Sequence, residues 1–241
     1  MRLRALSSPA RRSKLLAAAV AALALPLAAS ATPAAASEGN GYPQSGYLSS
    51  LQLAAHAAPS ITSPVLEVLH QFRADELPMV VLVISTRQAS GVTWDKISLP
   101  GRPNGRYGWV KADRLEGLIP RERQITVDRG QRTLTVSEHG RVLFRTRVAV
   151  GRPGMETPRG HFYLMAGFKP QESALGPWAF ETSAYSKLSD WPGGGIIGIH
   201  GWNDPSVLGH AVSHGCVRVS DQAILRLKTL VSAGAPVEIV D

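Results

Sequence analysis

At 241 residues with 44% hydrophobic side chains, the chain can hold one large or two small domains with buried cores, which excludes wholesale disorder. The formal charge is +8, but Arg2, Arg4, Arg11, Arg12 and Lys14 lie in an acid-free leader, which leaves +3 for the remainder and no basic stripe for a nucleic-acid partner. Cys216 is the only cysteine, which excludes an intramolecular disulfide.

Residues 1–36 carry the parts of a secretory signal: basic residues, an apolar run from Leu15 to about Ala29, and Ala34-Ala35-Ala36 before Ser37 as a cleavage site. The apolar run is under the roughly 18 residues of a spanning helix and Pro26 interrupts it, so cleavage is expected rather than anchoring. Arg11-Arg12 loosely resembles a twin-arginine signal, yet such pairs are common in leaders and the ordinary secretory route is preferred. The expected location is a cell wall, periplasm-like space or extracellular medium, with no membrane anchor after processing. Residues 37–63 are rich in Ala, Ser, Gly and Pro and read as a linker, with a short helix around Leu51 to Ala57.

Residues 64–72 read as a helical turn or a first strand. Three short strands follow at 79–84, 92–99 (VTWDKISL) and 107–111 (YGWVK), with Asn104-Gly105 as a hairpin signal between the last two. Trp94, LPGRPNG and GWV are similar to bacterial SH3-like modules, which implies a small β-barrel over 64–117. Trp94 and Trp109 read as core rather than as a ligand platform. Residues 118–123 form a hinge.

The second domain, 124–241, opens on QITVD, RTLTVS and a strand from Val142 to Val150, with turns at Arg129-Gly130 and His139-Gly140, an antiparallel meander. GRPGMETPRG (151–160) is broken by Gly and Pro, and a strand resumes at 162–165. Residues 168–191 hold Trp178, Phe180, Tyr185 and Trp191 without a sustained period; so long a stretch reads as a lid, with Trp178 and Tyr185 as its substrate-facing aromatics, over an extra strand pair. Gly193 to Gly195 precede a strand at 196–200. Ser220 or Asp221 caps a helix to about Ser232, whose apolar face is Ile224, Leu227, Leu230 and Val231, and PVEIV closes the domain as a strand. The fold class is mainly β with one helix near the C-terminus.

Ser213-His214-Gly215-Cys216-Val217-Arg218 carries the chemistry. A thiol at its free pKa of ~8.5 is little ionised at pH 7, and an imidazole that takes its proton stores the charge as an ion pair and can return a proton to a leaving amine. Two histidines compete for that role. His200 arrives on a strand from elsewhere, whereas His214 shares the tight loop, so His200 is preferred as acid and base. His214 then shapes the loop or meets substrate, Ser213 orients an imidazole, and the Gly215 and Cys216 amides are the nearest oxyanion donors. Arg218 suits a substrate carboxylate. A zinc site from His200, His210, His214 and Cys216 lacks paired cysteines and a His-Glu-x-x-His helix, so neither metal nor cofactor is expected. His56, His70, His139 and His161 read as surface or packing residues.

Five separate pieces, GRPGMETPRGHF, LGPWAF, IGIHG, SHGCVRVS and APVEIV, resemble the L,D-transpeptidase catalytic domain, also called YkuD-like, over 124–241. The resemblance implies a β-sandwich and a cysteine enzyme acting on peptidoglycan stem peptides. In such enzymes the matching cysteine attacks the amide after the third stem residue and releases the terminal D-alanine; a neighbouring amine then resolves the thioester as a 3→3 cross-link. Carried over, Cys216 is the nucleophile and His200 the proton carrier, with Ser213, His214, Gly215 and Arg218 completing the signature; some relatives have Asn in place of Arg218. Two alternatives stay open: an L,D-carboxypeptidase or stem peptidase with water as acceptor, and a non-catalytic wall-binding protein. Oligomeric state is not readable from the sequence.

Overall fold

The structure, a computed structural model, describes residues 43–188, 190 and 192–241, which belong to one compact unit. The leader at 1–36, residues 37–42 of the expected linker, and Trp191 lie outside the described residues.

Seven strands build the first sheet: β1 (Gln44–Leu48), β2 (Gln52–His56), β3 (Val65–His70), β4 (Val80–Ala89), β5 (Val92–Leu99), β6 (Arg106–Lys111) and β7 (Leu115–Pro120), in the order β3-β2-β6-β5-β4-β1-β7. It therefore begins at Gln44 rather than Pro64. The segment read as a linker supplies two strands, and the helix expected around Leu51 to Ala57 is β2. Ala- and Ser-rich QSGYL and QLAAH lack the β-branched residues that mark strands, but small side chains suit close approach. A Cβ at Gly46 would stand 2.5 Å from the Glu116 carbonyl oxygen of β7, and Ala55 is fully buried. Half of the expected hinge, residues 118–120, is the end of β7, which pairs antiparallel with β1. Trp94 is buried and meets His56 edge to face at 5.7 Å between ring centres.

The second sheet uses β8 (Arg123–Asp128), β9 (Thr133–Glu138), β10 (Arg141–Arg147), β12 (Gly160–Phe168), β13 (Ala179–Tyr185), β14 (Ile196–Trp202), β16 (Val217–Ser220) and β17 (Pro236–Val240), ordered β10-β9-β8-β17-β12-β13-β14-β16. Two short parallel strands, β11 (Val150–Gly151) and β15 (Ala211–Ser213), form a separate pair. Alternation explains the meander: Ile125, Val127, Leu134 and Val136 are fully buried while their neighbours face outward. The helix α1 (Asp221–Leu230) starts where the Ser220 hydroxyl accepts from the Ala223 amide. Its Ile224 and Leu227 are fully buried against β14 and β16, each worth ~1.5–3 kcal/mol of burial.

The two sheets pack directly on each other. Leu82 of β4 lies against Tyr163 and Met165 of β12, and Arg73 forms an ion pair with Glu181 of β13.

Candidate active site

Parallel strands β14 and β16 pair with Ile199 opposite Val217 and His200 opposite Arg218. Side chains alternate, so Ile197, Ile199, Val217 and Val219 enter the core while positions 198, 200, 202, 216 and 218 share the other face. The outer edge of β16 is covered by backbone hydrogen bonds exchanged between Ala149 and Arg218, both 2.9 Å.

Gly198 is the meeting point. Its amide donates to Cys216 Sγ at 3.3 Å, and a Cβ placed there would stand 3.9 Å from both Sγ and His200 Cδ2. Cδ2 is bonded to Nε2, so the imidazole presents that edge to the glycine the thiol also faces. His200 is only 4% exposed, and its Nδ1 lies 2.8 Å from the Gly201 carbonyl oxygen. A carbonyl only accepts, which assigns the proton of the neutral ring to Nδ1 and leaves the Nε2 lone pair available.

Burial pushes the Cys216 thiol above its ordinary value, against the pull of the Gly198 amide and the Arg218 guanidinium. It pushes the His200 imidazolium down, with the Gly201 carbonyl opposing and Arg218 adding to the fall. Both shifts favour the uncharged forms. Burial therefore works against the stored ion pair that sequence chemistry suggests.

The turn holding Cys216 is fixed by two hydroxyls. Ser213 Oγ donates to the Cys216 carbonyl at 2.6 Å and accepts the Gly215 amide at 3.1 Å. Ser213 thus organises backbone rather than an imidazole, and the Gly215 amide expected as an oxyanion donor is already engaged. Gly215 is required for another reason: its φ is +124°, and a Cβ would stand 2.8 Å from Ile197 Cδ1.

The second hydroxyl belongs to Thr157, in the GRPGMETPRGHF piece of the family resemblance. Fully buried, it donates to the Gly215 carbonyl at 2.7 Å and accepts the Gly151 amide at 2.9 Å. It ties the 151–160 loop to the turn, and only a contact across 58 residues gives it that role. Thr157→Val should cost roughly 2–4 kcal/mol in thermal or denaturant unfolding, because it strands two buried backbone groups. Thr157→Ser should restore most of the loss, and a valine variant as stable as the parent would show that the tie holds nothing.

Arg218 lies with its guanidinium carbon 3.6 Å from the Trp202 ring centre, and Trp202 meets His200 edge to face at 6.0 Å. Half-buried His214 sits on the same turn, its imidazolium held down by burial and then by Arg152 and Arg218. The two cations give this side of the turn a positive field.

Trp178 and Tyr185 are not lid tips. The stretch read as irregular contains β13, an inner strand between β12 and β14. Trp178 packs edge to face on Phe180 at 6.2 Å, with Lys228 Nζ 3.8 Å from its ring centre; Tyr185 ends β13 beside Arg102. The strand escaped sequence reading because AFETSAY does not alternate between buried and exposed positions and its register shifts between Glu181 and Tyr185.

Residues 122–239 match the family model of the YkuD L,D-transpeptidase catalytic domain. YkuD of Bacillus subtilis strain 168, provisionally named an L,D-transpeptidase, is 35% identical over 115 residues, 48% of this chain and 64% of that protein. Its Bacillus licheniformis counterpart is 34% identical over 116 residues, with the same coverage. The chain thus spans less than two thirds of the length of these relatives. Among solved structures, an L,D-transpeptidase from Mycobacterium tuberculosis aligns over 68% of this chain and 90% of its own, with 15% identity and a TM-score of 0.44. Over residues 122–239, this chain carries an L,D-transpeptidase catalytic domain of the YkuD family.

Proposed function

We propose that this protein is an exported L,D-transpeptidase that forms 3→3 cross-links between peptidoglycan stems through a thioester on Cys216. The observation that carries the reading is the convergence of Cys216 Sγ and the lone-pair edge of His200 on Gly198. As sulfur attacks the carbonyl of the third stem residue, Nε2 takes the thiol proton. The tetrahedral oxyanion collapses, the C–N bond to the terminal D-amino acid breaks, and imidazolium returns the proton to the departing amine. An acceptor amine on a second stem attacks the thioester, gives its proton to Nε2, and expels the thiol as the new amide forms. Arg218 and Arg152 on the flank of the turn suit the carboxylates of stem peptides. The acid-free leader with its apolar run supports export, which places the reaction where the wall is.

The test is incubation with a disaccharide tetrapeptide, followed by mass spectrometry. A cross-linked dimer with loss of one D-alanine supports the reading. Free tripeptide alone would replace it with a carboxypeptidase, and absence of any product from stems of several compositions would favour a wall-binding role.

A further inference from the structure

The loop joining β5 and β6 belongs to the N-terminal sheet, outside the residues that match the family, yet it reaches the flank of the catalytic turn. The Asn104 amide acts there like one more strand: Nδ2 donates to the Tyr185 carbonyl at 2.7 Å and Oδ1 accepts the Tyr185 amide at 2.9 Å. Arg102 gathers the chain immediately beyond Tyr185. Its Nε and Nη2 donate to the Ser186 carbonyl at 3.0 and 2.8 Å, and Nη2 is also 3.0 Å from the Leu188 carbonyl and 2.9 Å from that of Gly194. The guanidinium thus ties the segment at Ser186 and Leu188 to Gly194, helped by the Ser186 amide donating to the Gly195 carbonyl at 2.8 Å. That segment meets the catalytic turn, since a Cβ at Gly215 would stand 3.7 Å from Ser186 Cβ. The loop and residues 185–187 also form one side of a pocket of about 610 Å³, whose other side includes Glu156, Pro158 and Arg159 next to the Thr157 tie.

We propose that Arg102 and Asn104 are positioning residues for the transfer reaction, supplied by the N-terminal sheet to hold the segment at Ser186, Leu188 and Gly194 against the Gly215–Cys216 turn. The physical reason is that three carbonyls converge, and their oxygens repel one another unless a cation with a planar fork of donors lies between them. Without it the segment relaxes outward, the turn loses one wall, and both the substrate path and the thiol's shielding change. The inference rests on the transpeptidase reading for its kinetic consequence, but its structural part does not.

The experiment compares Arg102→Ala, Asn104→Ala and Arg102→Lys with Arg73→Ala in the full mature chain. Arg73→Ala breaks a different link between the sheets, the ion pair with Glu181, without touching that segment. Cross-linking kcat and KM, the rate of Cys216 alkylation by iodoacetamide, and the unfolding midpoint are read for each. The first two variants should lose about 10–100-fold in kcat/KM, the scale of a misplaced reacting group. Their alkylation should accelerate at least about threefold, with lysine between alanine and the parent because it keeps charge without the fork. Arg73→Ala should stay within about twofold of the parent in both readouts. Arg102→Ala matching Arg73→Ala, or leaving both readouts at the parental level, overturns the proposal. Should Arg102→Ala fail to fold, Asn104→Ala and Arg102→Lys decide it by the same criteria. If the parent makes no cross-link, the transpeptidase reading fails, and alkylation alone still decides whether the clamp shields the thiol.

Discussion

Cys216→Ala is expected to eliminate both the cross-linked product and any covalent adduct, a loss on the order of 10⁴-fold or more, because no second nucleophile can form the acyl-enzyme. The fold should survive. The thiol accepts a hydrogen bond from the Gly198 amide, whereas the turn itself is built by Ser213 and Thr157 through backbone atoms that alanine keeps. Intact-protein mass spectrometry during turnover checks this: the parent should gain one acyl mass and the variant none, with unfolding midpoints that differ little. Cys216→Ser separates nucleophile chemistry from shape, since it keeps a proton-bearing atom at the same place. A serine variant within about tenfold of the parent would mean that thiolate chemistry is not what the site supplies.

His200→Gln should cost about 10²–10⁴-fold in kcat/KM, the usual contribution of a positioned general base. The pH dependence carries more information than the loss itself. Burial lowers the histidine below its ordinary value of 6.5 and raises the thiol above its ordinary value of 9.0. Both shifts favour the uncharged pair in the free enzyme at neutral pH. Activity should fall on the acid side only when His200 takes a proton, at a pH under 6.5. Alkylation of the parent by iodoacetamide, which needs thiolate, should keep rising past pH 9.0. An alkylation rate already at its plateau near pH ~6, below the ordinary thiol range, would signal a preformed thiolate–imidazolium pair and rule out the uncharged resting state. His200→Gln should leave that alkylation limb in place while abolishing the acid limb of turnover, because its amide does not titrate.

Much of the site was legible because its chemistry is written in single residues close in sequence. One cysteine, a histidine two positions before it, and a second histidine after an apolar run point to a thiol and a base before any coordinates are seen. The first two strands of the meander and the capped helix were equally legible, since their burial alternates with period 2 or 3.6 along the chain itself, whereas the strand expected to reach Val150 ends at Arg147 and Val150 pairs with β15 instead. Periodicity gave no such signal for β1, β2 and β13. QSGYL, QLAAH and AFETSAY carry small or polar residues whose burial depends on partners such as Glu116 of β7 and the strands on either side of β13.

The linear order of residues carries the identity of the reacting groups, the basic N-terminal residues, and the alternating strands that frame the second domain. Tertiary structure supplied the direction of both pKa shifts, the support and the surroundings. Burial between neighbouring strands favours the uncharged forms of the imidazole and the thiol. The Gly215 amide is engaged by the Ser213 hydroxyl, and Thr157 and Arg102 matter because the chain brings them from 58 residues away and from the other sheet. Desolvation and hydrogen-bond partnership are properties of what surrounds an atom, and a linear order of residues does not contain them.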